Sequence, residues 1–344
     1  MNLELLRNLC LTPGAPGGEK LIREMIIKEI TPLVDHVEID PMGNVVAVKK
    51  GDKPLKVMTA AHMDEIAFIV THIDKDGFAR FHTLGGFDPK TLTAQRVIVH
   101  GKKDLLGVMG SKPIHLMSAE DRNKPPKISD YFIDFGMPGE KVKELISVGD
   151  KVTRERDMIE LGECVSTKSL DNRVSVFILI EALRKLEKPP FDFYAVFTVQ
   201  EEIGLRGATT ATRKINPEFG FGLDTTIAND LPSAQEQEQI TQLGKGTAVK
   251  IMDSSVITDS RMVRYMEMIA EKHNIPHQRE ILTAGGTDTG AIQRSGDGSI
   301  VGCISIPTRH IHSVVEMCHK IDIQASIDLL SRCIENMDKF DYEW

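Results

Sequence analysis

The run Phe193-Tyr-Ala-Val-Phe-Thr-Val-Gln-Glu201-Glu202 ends in two adjacent carboxylates. Its aromatic and β-branched residues predict a buried strand over 192–200. Charge at the end of a buried strand is costly unless something binds it. Two neighbouring carboxylates also repel each other, so at least one of them is expected to face a cation or to hold a proton. Taken alone, a Glu-Glu pair could instead be a solvated turn.

Other apolar runs of the chain also end in residues that bind metals. His62 and Asp64 close one run, Asp224 closes another, Asp171 follows a short segment, and His312 follows a fourth run. Open α/β sheets form their ligand sites at the carboxyl ends of their strands. Imidazoles and carboxylates without a thiolate suit Zn²⁺, Co²⁺ or Mn²⁺ with open positions for water and substrate. The pattern predicts a metal-dependent hydrolase in which a central Asp could bridge two ions.

Strands and helices alternate outside the middle of the chain. The patterns predict helices over 3–10, 18–30, 173–186, 206–213, 259–273 and 322–339, and strands over 34–40, 44–50, 55–61, 192–200, 219–223 and 300–306. Such alternation is typical of an α/β fold, with a mostly parallel central sheet and helices on both faces.

The middle of the chain has a different texture. Between 69 and 163 the segments are short, often alternate in polarity, and are separated by Gly and Pro. This pattern predicts a small β-rich domain inserted into the α/β domain, with 1–68 and 164–344 forming the catalytic domain. Because His62 and Asp171 flank the insert, we expect it to stand beside the site.

The composition of the 344 residues indicates a soluble globular protein and argues against nucleic acid as its main partner. Apolar residues make up 41%, charged residues 27%, and the net charge is −8, which disfavours binding to a phosphate backbone. No apolar run is long enough to span a membrane, and the N-terminal segment does not resemble a secretory signal. The five cysteines have no CxxC spacing, so we expect reduced thiols in a cytoplasmic protein.

Two further groups of residues are candidates for supporting roles. Asp64 lies two positions after His62, so on an extended strand it shares a face with the imidazole and could fix its tautomer; a turn or surface charge is the alternative. The glycine-rich segment with Gly285, Gly286 and Asp288 could line the substrate pocket, or it could be a turn that caps a helix.

Six motifs together resemble a known family. They are Ala60-Ala-His62-Met-Asp64-Glu-Ile, Lys168-Ser-Leu-Asp171-Asn-Arg173, Gln200-Glu201-Glu202-Ile-Gly204-Leu-Arg-Gly207-Ala, Gly222-Leu-Asp224, Gly285-Gly-Thr-Asp288 and Ile306-Pro-Thr-Arg-His-Ile-His312-Ser. In order and over nearly the whole chain, they resemble the tetrahedral aminopeptidases. These are di-metal exopeptidases that also go by the names deblocking aminopeptidase, glutamyl aminopeptidase and cellulase M.

The resemblance implies a role for each matching residue. One metal would be held by His62, Asp224 and Asp171, and the other by Glu202, His312 and the same Asp171. Glu201 would be the general base for metal-bound water, with Asp64 beside His62. The implied cofactors are two divalent ions, Zn²⁺ or Co²⁺ with Mn²⁺ as a third option. The implied substrates are short peptides with a free N-terminus, and the implied assembly is a tetrahedral homododecamer in which the inserted PDZ-like domain makes dimer contacts.

Some questions stay open at the level of sequence. His310 stands two residues before His312, where an aromatic residue is common in the family, so either imidazole could be the ligand; His312 is favoured by the His-Ser end of the motif. Ser169 replaces the usual Ala, a change expected to be neutral. A metal-dependent deacylase of N-acyl amino acids and an endoglucanase are alternative activities, although the single tryptophan, Trp344, gives little for a sugar platform. The side-chain preference of the pocket and the role of His310 are not predicted.

Overall fold

Two sheets organise the chain in the computed structural model, which describes residues 1–232 and 234–343. The larger one is a mixed sheet of 11 strands, and the smaller one closes into a barrel. Trp344 lies outside the described residues.

The N-terminal part forms two helices and then the first strands of the large sheet. These elements are α1 (Leu3–Leu11), α2 (Lys20–Ile30), β1 (His36–Ile39), β2 (Val45–Lys49) and β3 (Lys53–His62). The side chain of Asn2 caps α1 by accepting the main-chain N–H of Leu5 at 3.1 Å. The turn between β1 and β2 is closed by Asp40, whose Oδ1 accepts N–H groups from Met42, Gly43 and Asn44. All five elements confirm the predicted ones within a few residues.

The barrel contains the strands of the predicted insert. Its elements are β4 (Ala67–Ile73), β5 (Ala79–Leu84), β6 (Arg96–His100), β7 (Asp104–Gly110), α3 (Ala119–Arg122), β8 (Phe132–Asp134), α4 (Gly139–Leu145) and β9 (Lys151–Arg154). The strand order around the barrel is β4-β5-β8-β7-β6-β9, and its pairs are antiparallel. Phe68, Val97, Ile133 and Val152 fill the centre. The boundaries 69–163 and the PDZ-like character stay predictions.

The remaining chain returns to the large sheet. Its elements are β10 (Ile159–Leu161), β11 (Cys164–Thr167), α5 (Leu170–Lys185), β12 (Phe191–Thr198), α6 (Arg206–Ile215), β13 (Phe219–Ile227), β14 (Thr247–Met252), α7 (Ser260–Lys272), β15 (His277–Ile281), α8 (Asp288–Arg294), β16 (Ile300–Arg309), β17 (Glu316–His319) and α9 (Lys320–Asn336). Asp171 and Asn172 have non-helical backbone angles, so the regular part of α5 starts at Arg173, where the sequence places it.

The large sheet is parallel only in part. Its main path is β1-β2-β12-β3-β13-β16-β17-β11-β10, and β14 pairs with both β16 and β15. The central strands β12, β3, β13 and β16 are parallel, as are β14 and β15, whereas the other ladders are antiparallel. The prediction of a mostly parallel sheet therefore holds for the central strands and is wrong for the strands at the edges. The short strands β10, β11 and β17 were not predicted from the sequence.

Helices cover both faces of the sheet, as predicted. Along β12, Phe193, Ala195 and Phe197 pack into a core that contains residues of α1, α2, α5, α7 and α9. The alternate residue Val196 packs on the opposite face, in a cluster that contains residues of α6 and α8. This alternation follows from the two-residue period of a strand. Within the described residues, no helix is long and apolar enough to cross a membrane.

One predicted strand is longer than its sequence pattern. The apolar run at 219–223 predicted that β13 ends before Asp224, but the strand continues to Ile227. Asp224, Thr225 and Thr226 are buried and remain in parallel register with β16. The prediction failed because polar side chains interrupt the apolar pattern while the backbone ladder continues.

Candidate metal centre

The predicted metal ligands meet at the carboxyl edge of the central parallel strands. His62 is the last residue of β3, Asp224 lies near the end of β13, and Asp171 lies at the start of α5. The carboxylates Glu201 and Glu202 follow β12. These five residues and His312, which follows β16, all line one cavity of about 680 Å³. The chain thus brings together residues up to 250 positions apart, because the parallel strands end at the same edge.

Asp171 lies between the two imidazoles. Its Oδ1 is 3.3 Å from Nε2 of His62, and its Oδ2 is 3.4 Å from Nε2 of His312. The same His312 nitrogen is 3.6 Å from Oε2 of Glu202. Each oxygen of Asp171 therefore faces a different imidazole, an arrangement compatible with a bridging carboxylate.

The second side of the cluster is built around His62. Its Nε2 lies 3.7 Å from Oδ1 of Asp224 and 3.8 Å from Oε2 of Glu201. Two sets of donor atoms lie within 4.8 Å of one another: His62 with Asp171 and Glu202, and His62 with Glu201 and Asp224. These sets divide the residues differently from the two ligand sets implied by the family resemblance, since both contain His62 and neither contains His312.

Asp64 holds the end of β12 in place. Its two carboxylate oxygens accept the main-chain N–H groups of Glu201, at 3.1 Å, and Glu202, at 3.2 Å. Nδ1 of His62 is closer to the main-chain oxygen of Asp64, at 3.2 Å, than to its Oδ1, at 3.5 Å. The main-chain carbonyl of Asp64 is therefore the nearer acceptor for the imidazole of His62. The side chain of Asp64 is fully buried and holds the backbone of Glu201 and Glu202.

Glu316 is a buried contributor that the sequence patterns missed. Its Oε2 accepts the main-chain N–H of Asp171 at 3.0 Å, and its Oε1 accepts that of His312 at 2.9 Å. Glu316 begins the short strand β17, and its side chain is inaccessible to solvent. A lone Glu between the apolar pairs Val314-Val315 and Met317-Cys318 was the available signal.

Burial and mutual charge shift the pKa values of the cluster. Burial raises the pKa of Glu202 to about 8, and the charge of Asp171 acts in the same direction. Burial alone would lower the pKa of His312, but contact with Asp171 and the charge of Glu202 raise it to about 9. Burial alone would also lower the pKa of His62. The surrounding carboxylates, of which Glu201 has the largest effect, outweigh burial and raise this pKa well above its ordinary value. These shifts have one physical cause, the burial of several carboxylates and imidazoles close to one another.

The donor set fits divalent metal ions. Oδ1 of Asp171 and Oε1 of Glu202 are buried and receive no hydrogen bond from the described residues. Buried carboxylate oxygens without a donor are costly unless a cation binds them. Imidazole and carboxylate donors without a thiolate are the ligands of hydrolytic metal sites.

Beyond the candidate metal cluster, the cavity is lined by both apolar and charged side chains. Leu205, Ile227, Leu282 and Ile311 supply apolar surface. Lys250 and Asp253 contribute charged groups, and His310, Gly285 and Gly286 also line the cavity. His312 contacts the carboxylates, whereas His310 lies in the wall, so the geometry separates the two imidazoles.

Asp288 lies behind the wall instead of in it. Its side chain is buried, and its Oδ2 accepts a hydrogen bond from the hydroxyl of Thr198. Thr287, not Asp288, continues the lining after Gly285 and Gly286. Its Oδ1 receives no hydrogen bond from the described residues, and the contact of Asp288 with substrate stays a prediction.

Strained backbone conformations surround the cluster. Ser169, Gln200, Leu205, His310 and His312 have φ values between 55° and 62°, in the left-handed region that side chains disfavour. Each lies within four positions of a cluster residue in sequence. Such conformations persist only where neighbouring contacts enforce them, and they are frequent at functional sites.

Comparisons with known proteins show which family this chain resembles. A family model described as M42 glutamyl aminopeptidase matches residues 43–329. A putative aminopeptidase of Acetivibrio thermocellus is 39% identical, covering 96% of this chain and 98% of the relative. A lysyl aminopeptidase of Pyrococcus furiosus is 35% identical, covering 98% of each chain.

Two solved structures extend the likeness to the fold. The aminopeptidase APDkam598 of Desulfurococcus kamchatkensis has a TM-score of 0.93 at 38% identity, covering 97% of this chain and 94% of that one. The TET1 peptidase of Pyrococcus horikoshii, which can assemble into a tetrahedron or a large octahedral shell, has a TM-score of 0.87 at 33% identity, covering 96% and 98%.

Proposed function

The chain belongs to the M42 glutamyl aminopeptidase family and is a metal-dependent aminopeptidase, and we propose that it removes N-terminal residues from short peptides at a site for two divalent ions. The observation that carries the two-ion proposal is the position of Asp171, whose two oxygens face the imidazoles of His62 and His312.

Five side chains would hold the ions. His62 and Asp224 would bind one, Glu202 and His312 the other, and Asp171 would bridge them. The buried Oδ1 of Asp171 and Oε1 of Glu202, which receive no hydrogen bond from the described residues, support this assignment. When bound, the ions would supply Lewis acidity that activates water and polarises the scissile carbonyl. Zn²⁺ or Co²⁺ suits the donors, with Mn²⁺ as a third option.

Glu201 would be the general base. Burial raises its pKa well above the ordinary value for a glutamate, against the lowering effect of His62. A raised pKa suits a group that must take a proton from the attacking water and then give it to the leaving amine. Asp64 fixes the backbone of Glu201 through the N–H hydrogen bond, so the base has a defined position.

The carboxylate-rich cluster also accounts for exopeptidase action. A free α-amino group is a cation at neutral pH, and the acidic side chains around His62 would attract it. An N-acetylated substrate lacks that charge. The deacylase and endoglucanase alternatives are not favoured by the family match or by the relatives compared above.

The barrel would serve assembly. We propose that 69–163 form a PDZ-like dimerisation domain, that 1–68 and 164–344 form the catalytic domain, and that twelve copies build a tetrahedral shell in the cytoplasm. The assemblies of the Pyrococcus horikoshii TET1 peptidase support this proposal.

Metal reconstitution tests the activity. The protein would be stripped of metal and reloaded separately with Zn²⁺, Co²⁺ or Mn²⁺, then assayed with p-nitroanilides of Leu, Lys and Glu, each with and without an N-acetyl block. We expect metal-dependent cleavage of the unblocked substrates alone. Cleavage of only the blocked set would replace the proposal by the deacylase, and no turnover of either set with metal bound would refute it.

The role of Glu201 has a separate test. Glu201→Gln keeps the size of the side chain and removes the base, so we expect turnover to fall by about 10²- to 10⁴-fold. Metal content, measured after gel filtration, should stay that of the unsubstituted protein. The control is Glu236→Gln in an exposed part of the chain. Undiminished turnover with metal bound would exclude Glu201 as the base.

A further inference from the structure

A segment of the barrel lies against the metal cluster. It consists of Gly85, Gly86 and Phe87, directly after β5, and is called here the glycine segment. Gly86 lines the cavity. A Cβ atom at Gly86 would lie 3.5 Å from Nδ1 of His312, and one at Gly85 would lie 3.2 Å from Oε2 of Glu202. The barrel therefore forms one side of the candidate active site.

Aromatic packing anchors this segment inside the barrel. The ring of Phe87 stacks on the ring of Phe68, with centroids 4.5 Å apart and an interplanar angle of 27°. Phe68 is fully buried. The guanidinium of Arg154, the last residue of β9, lies 5.5 Å from the centroid of Phe87. Cation–π attraction at this distance adds to the stacking.

Arg154 has an unusual environment for a buried cation. It is 2% exposed, and none of its three guanidinium nitrogens has a hydrogen-bond partner among the described residues. The charges that attract it most strongly are those of Glu316, Glu65 and Glu202. A buried guanidinium without hydrogen bonds is costly, so its contact with the ring and its attraction to these carboxylates must keep it in place.

We propose that Arg154 is a positioning residue of the aminopeptidase. It holds Phe87 from the barrel side and thereby fixes Gly85 and Gly86 against Glu202 and His312. The barrel then completes the wall of the active site in addition to any role in assembly. This inference rests on the proposed function for its kinetic consequences. The contact of Arg154 with Phe87, called here the clamp, does not depend on that function.

The glycines explain how backbone can close the site without filling it. Gly85 has φ +101° and little space for a Cβ, so its conformation and its surroundings both require glycine. Gly86 has no such backbone restriction, and its Cβ position is open except for the ordinary contact with His312. An alanine at Gly86 would fold normally and would reduce the space beside His312.

Two sets of variants test the proposal. Arg154→Met removes the charge and keeps the length, and we expect kcat/KM for an unblocked aminoacyl p-nitroanilide to fall about tenfold. Arg154→Lys keeps the charge and should lose less. Gly86→Ala should raise KM severalfold with little change in kcat. The control is Arg80→Met, because the guanidinium of Arg80 also lies over a phenylalanine ring of the barrel, 5.8 Å from the centroid of Phe132.

Hydrogen exchange of the metal-free protein gives a readout independent of turnover. Arg154→Met should speed amide exchange over 84–92, whereas Arg80→Met should leave it unchanged. The clamp is refuted if amide exchange and kcat/KM of Arg154→Met both stay within about twofold of the values for the unsubstituted protein. It is also refuted if Arg80→Met changes exchange and kcat/KM as much as Arg154→Met does. An unchanged KM for Gly86→Ala would show that Gly86 does not form part of the wall of the active site. If the unsubstituted enzyme turns over no peptide, the exchange data still decide the clamp, and only the proposed function fails.

Discussion

Oδ1 of Asp64 accepts the main-chain N–H of Glu201 at 3.1 Å, although the two residues are 137 positions apart. The bond joins the end of β3 to the segment that follows β12, so the candidate base sits on backbone held by a buried carboxylate. The other oxygen of Asp64 accepts the N–H of Glu202 in the same way. One side chain therefore sets the positions of both glutamates relative to His62.

Asp64→Asn should impair catalysis more than metal binding. An amide of the same shape can accept only one of the two N–H groups and presents its own N–H₂ to the other, which leaves a buried donor unpaired. Loss of such supporting contacts typically costs about 10- to 100-fold in activity or metal affinity, and we expect the larger part in kcat.

Steady-state kinetics and metal content together check this prediction for Asp64. Asp297→Asn, in an exposed loop, controls for the change of residue type. An unaltered kcat in Asp64→Asn would mean that the position of Glu201 does not depend on these hydrogen bonds.

The two imidazoles near the end of the chain should respond differently to removal. His312 lies within 3.6 Å of carboxylates of Asp171 and Glu202, so His312→Ala should lower metal affinity. His310 lines the cavity wall, so His310→Ala should change KM and leave metal content unchanged. Titration of metal-free protein with Co²⁺ separates the two; a greater loss of affinity in His310→Ala would reverse the assignment.

The cluster could be predicted because most of its residues follow a recognisable apolar run. His62, Glu201 and Glu202 end or follow strands whose patterns are clear in the sequence, and parallel strands bring such ends together. Glu316 was missed because β17 has only four residues, too few for a periodic pattern. The contribution of Gly86 could not be predicted, since it depends on how the barrel docks onto the α/β domain.

Sheet direction was only partly predictable for a related reason. Alternation of strands and helices indicates parallel pairing, but it says nothing about short strands that pair in a hairpin at an edge, such as β10 with β11. The long strand β13 was shortened in the prediction because Asp224 interrupts its apolar run. Polar residues of the candidate site thus obscure the apolar pattern at the end of the strand.

Ser169 should stabilise the protein, contrary to the neutral effect expected from sequence. Its hydroxyl donates to Oε2 of the buried Glu65, which also pairs with Lys168 at 2.7 Å. Ser169→Ala should lower the free energy of unfolding by about 1 kcal/mol, and Lys168→Met by about 3–5 kcal/mol, because the latter leaves Glu65 without its nearest cation. Denaturant unfolding of metal-free protein measures both; equal stability of Ser169→Ala and the unsubstituted chain would restore the neutral interpretation.

The ion pair of Asp230 and Arg309 should make the folding stability sensitive to acid. Two hydrogen bonds of 2.6 and 2.7 Å join them, and Oδ2 of Asp230 also accepts the N–H of Leu243 at 3.0 Å. Burial raises the pKa of Asp230, but the Arg309 guanidinium and the Leu243 N–H outweigh it and lower the pKa below its ordinary range.

Because the pKa of Asp230 is lower in the folded state, its ionised form stabilises folding above the unfolded pKa of about 3.9, and this stability is lost as the pH falls through the folded value. Asp230→Asn should therefore cost about 1 kcal/mol at pH 7, and its difference from the unsubstituted chain should shrink below about pH 4. Thermal unfolding of metal-free protein from pH 7 to pH 3 measures this difference. Asp52→Asn, whose partner Lys188 is exposed, should cost nothing measurable at either pH. A difference for Asp230→Asn that stays constant across the range would show that the ionised pair does not stabilise the folded state.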